Sequence, residues 1–257
     1  MTDPTAPARE PRPATGPVLF EEGDFHGLSE GLCGDRQYDD RRLKARRKLL
    51  ALGKQAVSRI SEAGGPKLEV RTSLHNPHMF NGMRVRRLWA YLTRAKADKR
   101  KLRGVLGADL AKDLDAAYRN AYLCLAIEAE ALEVSLRIHP DAWYDGQNLK
   151  NRVEREGIGP WKELLNGLPG WRLRLHDWKG EWRCGELTTD SLEDFLKSWT
   201  PGEHSLAVEM RLPAPAGARG AALEEGTAEG MLSELERLVA LYRFTVWSGE
   251  SDFLFSS

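Results

Sequence analysis

Apolar residues recur at every second position in some stretches of this chain and at every third or fourth in others, and the change of period marks its elements. Leu132, Val134, Leu136 and Ile138 alternate with Glu133, Ser135, Arg137 and His139, and Leu123, Leu125 and Ile127 alternate over the segment just before. Two such runs joined at Ala129-Glu130 predict an antiparallel hairpin over 122–128 and 131–139. The same period predicts strands over 67–75, 84–94 and 205–212, and a second hairpin of 171–176 with 181–187 around Asp177-Trp178-Lys179-Gly180.

Helical spacing fills the intervals. Leu49, Leu52, Ala56 and Ile60 stripe a helix over 38–63 that Gly64-Gly65-Pro66 stops. Leu102, Val105 and Leu106 stripe a second that ends at Gly107, and Leu110, Leu114 and Ala117 a third. Residues 141–167 read as a turn and helical segments separated by Gly157, Gly159 and Pro160. Asp190, with Glu193 three residues on, resembles a capping box ahead of Leu192, Phe195, Leu196 and Trp199. Met231, Leu235, Leu238 and Tyr242 stripe a helix over 222–243. Hairpins impose antiparallel pairing, and one apolar face per strand calls for a helical cover. The prediction is an α+β fold: a mostly antiparallel sheet built from hairpins, covered by helices, in a single main domain.

The domain is expected to run from 38 to 257, with a tail at 244–257 that adds a strand or packs loosely. Residues 1–37 form a Pro/Gly-rich leader with five prolines by position 17, a composition that predicts disorder. The run EVRTSLHNPHMFNGMRVRRLWAYLTR, the hairpin YLCLAIEAEALEVSLRIHP and then NLKNRVE resemble the layout of the YktB-like uncharacterised bacterial families. The resemblance covers about residues 40–245 and implies an α+β core with a mostly antiparallel sheet in a bacterial protein; it implies no activity.

Charge narrows the partners. The 38 basic and 38 acidic residues cancel, so no global field draws the molecule to nucleic acid or anionic lipid. Basic residues nevertheless crowd 41–48 and 84–103, and acidic ones dominate from Glu186 onward, a polarity that permits an anionic partner at one end. No stretch approaches the ~20 apolar residues of a membrane helix. Cys33, Cys124 and Cys184 are odd in number and form no CxxC, which suggests reduced thiols. No signal peptide is visible, and the expected compartment is the cytoplasm.

Three candidate sites follow. The elbow His75-Asn76-Pro77-His78, with Asn81, offers ligand groups on a loop, and His75, His78 and His139 could supply nitrogens to a metal. Turn chemistry explains the same asparagines. A second candidate is the junction after His139, where Asp145 could act as acid or base and Asn148, Lys150 and Arg152 could hold an anion at a helix start near Gln147. The third is the arginine strand. Arg84, Arg86 and Arg94 share parity, Arg87 points oppositely, and Trp89 and Tyr91 could add stacking to phosphate or single-strand binding. Cross-strand ion pairs to Glu69 or Glu133 compete with that reading. Among the tryptophans, Trp178 and Trp182 flank a hairpin turn and are expected to be exposed.

No GxGxxG follows a strand, and there is no Walker A loop or GxSxG elbow. The favoured expectation is an anionic, phosphate-bearing ligand held by His75, Asn76, His78, Asn81, Arg84, Arg86, His139, Asp145, Asn148 and Lys150. A metal-assisted hydrolase or nuclease using His75, His78, His139 and Asp145 is the alternative, with His75 and Asp145 as catalytic candidates. A protein-interaction module is a further one. The sequence names no cofactor, and nucleic acid is less favoured as a partner than a small anion or a protein.

Overall fold

A computed structural model of the chain describes residues 18–175, 180–215 and 222–255. Its centre is a seven-stranded sheet in the order β1-β2-β3-β4-β7-β5-β6, antiparallel at every pairing. The strands are β1 (Leu68–Thr72), β2 (Arg87–Arg94), β3 (Tyr122–Glu128), β4 (Ala131–Ile138), β5 (Arg172–Leu175), β6 (Glu181–Arg183) and β7 (Leu206–Pro213). The first four lie side by side in chain order, as hairpins require. The seventh then inserts between β4 and β5, a long-range pairing that no local pattern announces. The tip of the second hairpin, including Trp178, and most of the Pro213–Gly220 loop lie outside the described residues, as do residues 1–17.

Register puts the apolar set of each strand on one face. Leu88, Ala90 and Leu92 meet Ile127, Leu125 and Leu123, which meet Leu132, Val134 and Leu136 across the next pair. All are fully buried, with Val208, Leu173 and Leu175 continuing the layer. Helix α1 (Glu22–His26) precedes α2 (Asp39–Glu62), whose Leu49, Leu52, Ala56 and Ile60 stripe packs into this core as the spacing predicts. Gly53 permits the close approach: a Cβ there would lie 2.6 Å from Val70 Cγ2.

Next come α3 (Lys96–Leu110), α4 (Trp143–Glu156), α5 (Gly159–Asn166), α6 (Thr189–Ser198), α7 (Thr227–Arg237) and α8 (Val239–Thr245). Gly107, at φ 80°, breaks α3 where the sequence places the break. The cap of α6 is Thr188 paired with Ser191, not Asp190 with Glu193. Trp182 is half-buried with its ring 4.9 Å from Phe195 edge-on, so it anchors the core instead of standing exposed. No described helix is long and apolar enough to cross a membrane.

Two boundaries are corrected. Residues 18–37 belong to the domain, because Phe20, Phe25, Leu28 and Cys33 are buried. Arg42 on α2 is itself fully buried and donates to the carbonyls of Gly27 (2.9 Å), Leu32 (3.1 Å) and Asp35 (2.6 Å). The C-terminal segment also packs firmly and adds no strand to the sheet. Trp247 and Leu254 are buried, and the Phe253 N–H donates to Asn148 Oδ1 at 2.9 Å.

Candidate functional site

The second face of the sheet carries the polar half of each alternation. Opposed parity brings Arg87, Trp89 and Tyr91 of β2 beside Tyr122, Cys124, Ala126 and Glu128 of β3, then Glu133, Ser135 and Arg137 of β4 and Glu209 and Arg211 of β7. At its centre this face is an ion-pair lattice. Glu133 accepts from Arg87 and Arg137, each at 2.8 Å, and from the Ser135 hydroxyl at 2.6 Å. Glu209 accepts from Arg137 and Arg174, both at 2.8 Å, and Glu128 from Arg87 at 2.9 Å. Burial alone would raise the Glu133 pKa; the Arg137 and Arg87 charges outweigh it and bring the value down to about 2. The cross-strand pair foreseen for Glu133 is therefore present, with Arg87 as its partner.

Toward the β1 edge the lattice gives way to a cavity of about 910 Å³. Trp89, Tyr91 and Tyr122 come from the sheet, Tyr118 from the turn before β3, and Phe80, Asn81, Arg84 and Arg86 from the elbow between β1 and β2. Three arginines and five aromatic rings line it, and no carboxylate does among the described residues. Arg84 and Arg86 share one partner, the exposed Glu30, at 3.4 and 2.7 Å. The guanidinium of Arg87 lies 5.8 Å from the Trp89 ring centroid, within cation–π range. Burial pushes the Tyr91 phenol up and, with the Cys124 sulfur, takes Tyr122 to about 12. Both phenols are neutral at physiological pH and add no negative charge to the cavity.

Local hydrogen bonds fix the elbow. The Ser73 N–H donates to the Trp89 carbonyl at 2.9 Å, extending the β1–β2 pairing by one residue. In the turn, the His78 N–H donates to Asn81 Oδ1 at 2.7 Å, Asn81 Nδ2 donates to the Asn76 carbonyl at 2.9 Å, and the Phe80 N–H reaches His78 Nδ1 at 3.4 Å. Gly82 and then Met83 hold φ of 60° and 59°. The second is an uncommon conformation for a side chain with a Cβ, and such positions concentrate at ligand sites. Arg42 ties this loop to the body by donating to the His75 carbonyl at 3.0 Å, and the Val85 N–H donates to Cys33 O at 2.8 Å.

Of the residues picked from sequence, Asn81, Arg84 and Arg86 meet at the cavity. His75, Asn76 and His78 shape the loop but do not line it. His75 Nδ1 lies 3.3 Å from Arg46, and burial and that charge lower its pKa, so the ring is neutral. His139 does not line the cavity; it accepts the Asp141 N–H at 3.1 Å and its ring meets Tyr118 edge-on at 5.5 Å. Asp145, Asn148 and Lys150 stand on α4, which begins at Trp143 and not near Gln147, and none lines the cavity.

Asp145 is a structural group and not an accessible acid or base. It is fully buried, accepts from Arg94, and takes the N–H groups of Ala121 (2.8 Å) and Trp247 (2.9 Å). Asn148 likewise spends its amide on the backbones of Thr245 and Phe253. The three histidines and Asp145 are not gathered, and no group of three or more His, Cys, Asp or Glu able to hold a metal occurs among the described residues. The shared parity of Arg84, Arg86 and Arg94 also fails. The strand begins at Arg87, and Arg94 lies on the buried face, opposite Leu68. Sequence reading missed Phe80, Tyr118 and Tyr122; only Tyr122 carried a signal, its parity with Cys124 against Leu123.

No protein-family model and no curated protein matches the sequence.

Proposed function

We propose that the protein binds an anionic, phosphate-bearing ligand in the cavity between the elbow and the polar face of β2 and β3. One observation carries this reading: among the described residues, three arginines and no carboxylate line a concave, ring-rich site. A cavity of this size with a few convergent polar groups is the usual form of a small-molecule site. Arg84 and Arg86 are the cations free to turn toward a ligand, since they are more than half exposed and hold one surface carboxylate between them. Arg87 is committed to Glu128 and Glu133 and serves the site as a fixed wall. Three buried, unbridged cysteines support a reducing, cytoplasmic setting.

Calorimetric titration of the full chain with phosphate monoesters tests the reading. Saturable binding is expected, weakened at least about tenfold by Arg84→Ala/Arg86→Ala, as loss of charge-assisted hydrogen bonds requires. Equal affinity in a variant that melts like the wild type would overturn it.

A second reading, a protein-docking elbow, has its own observation: Met79 and Phe80 are 78% and 87% exposed beside Leu74 and Met83. Adjacent exposed apolar side chains at one loop tip are a common mark of contact surfaces. Its sign would be partner capture lost in Met79→Ser while phosphate-ester binding persists.

A further inference from the structure

We infer that the anion held in this cavity carries a planar aromatic ring, and that the ligand class is a mononucleotide. The inference rests on the anion-binding reading above and goes beyond it. Inorganic phosphate would occupy a small part of a cavity of about 910 Å³ and leave its rings unused. The sheet supplies a shelf suited to a flat group. Trp89 and Tyr91 stand in line on β2, and the residues opposite them on β3 are Ala126 and Cys124, too small to cover them. Tyr122 stands edge-on to Tyr91 at 6.0 Å and bounds the shelf. Arg84 and Arg86 reach the same cavity from the elbow, so one ligand can stack on the shelf and place its phosphate at the rim. Aromatic faces accept any base, because every base presents a π surface.

The charge pattern favours a single nucleotide over a strand. A polynucleotide needs a track of available cations. Across β4, β7 and β5 the arginines of this face are already engaged: Arg137 with Glu133 and Glu209, Arg211 with Glu128, Arg174 with Glu209 and Arg172 with Glu181.

The test is calorimetric titration of the full chain with AMP, ribose 5-phosphate, inorganic phosphate and a ten-nucleotide oligo(dT). AMP is expected to bind roughly tenfold or more tighter than ribose 5-phosphate, as stacking of one base implies. Trp89→Leu should erase that preference, bringing AMP down to the affinity the same variant shows for ribose 5-phosphate. Tyr118→Ala provides a second variant at a cavity position 47% exposed and should narrow the preference too. Equal binding of AMP and ribose 5-phosphate would overturn the ring inference and leave anion binding standing. No binding by AMP, ribose 5-phosphate or phosphate would overturn both. Oligonucleotide binding far tighter than AMP would overturn the mononucleotide assignment in favour of a strand.

Discussion

Asp145→Asn separates a structural carboxylate from a catalytic one. The substitution is nearly isosteric, so it opens no cavity, and its whole effect is electrical. In the wild type one carboxylate oxygen accepts from Arg94 and the Trp247 N–H and the other from the Ala121 N–H, and the group is fully buried. It joins β2, the approach to β3, α4 and the C-terminal segment. The amide leaves the guanidinium of Arg94, itself only 4% exposed, without a counter-charge. Removing one partner of a buried pair costs about 3–5 kcal/mol. The new NH₂ also meets one of the N–H donors head-on, which keeps the cost in the upper part of that range. A chain of this length loses roughly 2–4 °C in Tm per kcal/mol, so the expected fall is roughly 6–20 °C. Differential scanning calorimetry at pH 7 measures it, and phosphate-ester titration well below the transition should give wild-type affinity. A Tm within 2 °C of wild type would refute the reasoning. So would a fully folded variant that has lost a ligand-dependent reaction, because Asp145 would then be a reacting group.

Glu133 sets an acid limb. Its folded pKa, about 2, lies below the ordinary 4.5, so its contribution is present above 4.5 and is lost as pH falls from 4.5 to 2. The contribution is about 3 kcal/mol. Glu133→Gln should lower the urea midpoint at pH 7 and flatten its decline over that window; curves parallel to wild type would count against the lattice. Arg42→Met keeps the aliphatic volume but withdraws the donor from the carbonyls of Gly27, Leu32, Asp35 and His75 and the counter-charge from Asp39, and should cost about 3–5 kcal/mol and open residues 18–37 to limited proteolysis under native conditions. An unchanged digest would show that Arg42 does not anchor this segment. Two helical glycines should respond with opposite signs. Gly104→Ala meets nothing within 4 Å and should stabilise by about 0.5–1 kcal/mol, whereas Gly53→Ala drives its Cβ into Val70 and should destabilise by about 1–3 kcal/mol, both read by thermal unfolding.

Local period carried the fold a long way. The Leu123-Leu125-Ile127 and Leu132-to-Ile138 alternations gave β3 and β4 within a residue, and the Leu49-to-Ile60 stripe gave α2, because both patterns are imposed by the core that each element faces. Insertion of β7 between β4 and β5 was not legible, since pairing across 70 residues depends on complementary faces rather than on spacing. The status of 18–37 was misread for a similar reason. Its glycines look like a linker, but Arg42, just beyond it on α2, folds it back through hydrogen bonds that no composition rule anticipates.

The candidate site was half legible, and charge explains which half. Basic residues crowd 41–48 and 84–103, which in sequence suggests two exposed patches. In the fold part of that charge is spent inward or on neighbours: Arg42 on carbonyls, Lys48 on Asp24, Arg87 on Glu133, Arg94 on Asp145 and Lys99 on Glu69. The four carboxylate pairings join residues far apart in the chain, so no window of sequence could subtract them. What reaches the cavity rim is local. Arg84 and Arg86 precede the strand, escape its register and lean on a single surface carboxylate from the lead-in. The ordinary rule for a half-buried sheet then completes the site. Alternate residues of β2 must leave the core, and here they are Arg87, Trp89 and Tyr91. The aromatic floor and the exposed arginines at its rim thus share one cause, the point at which β2 begins.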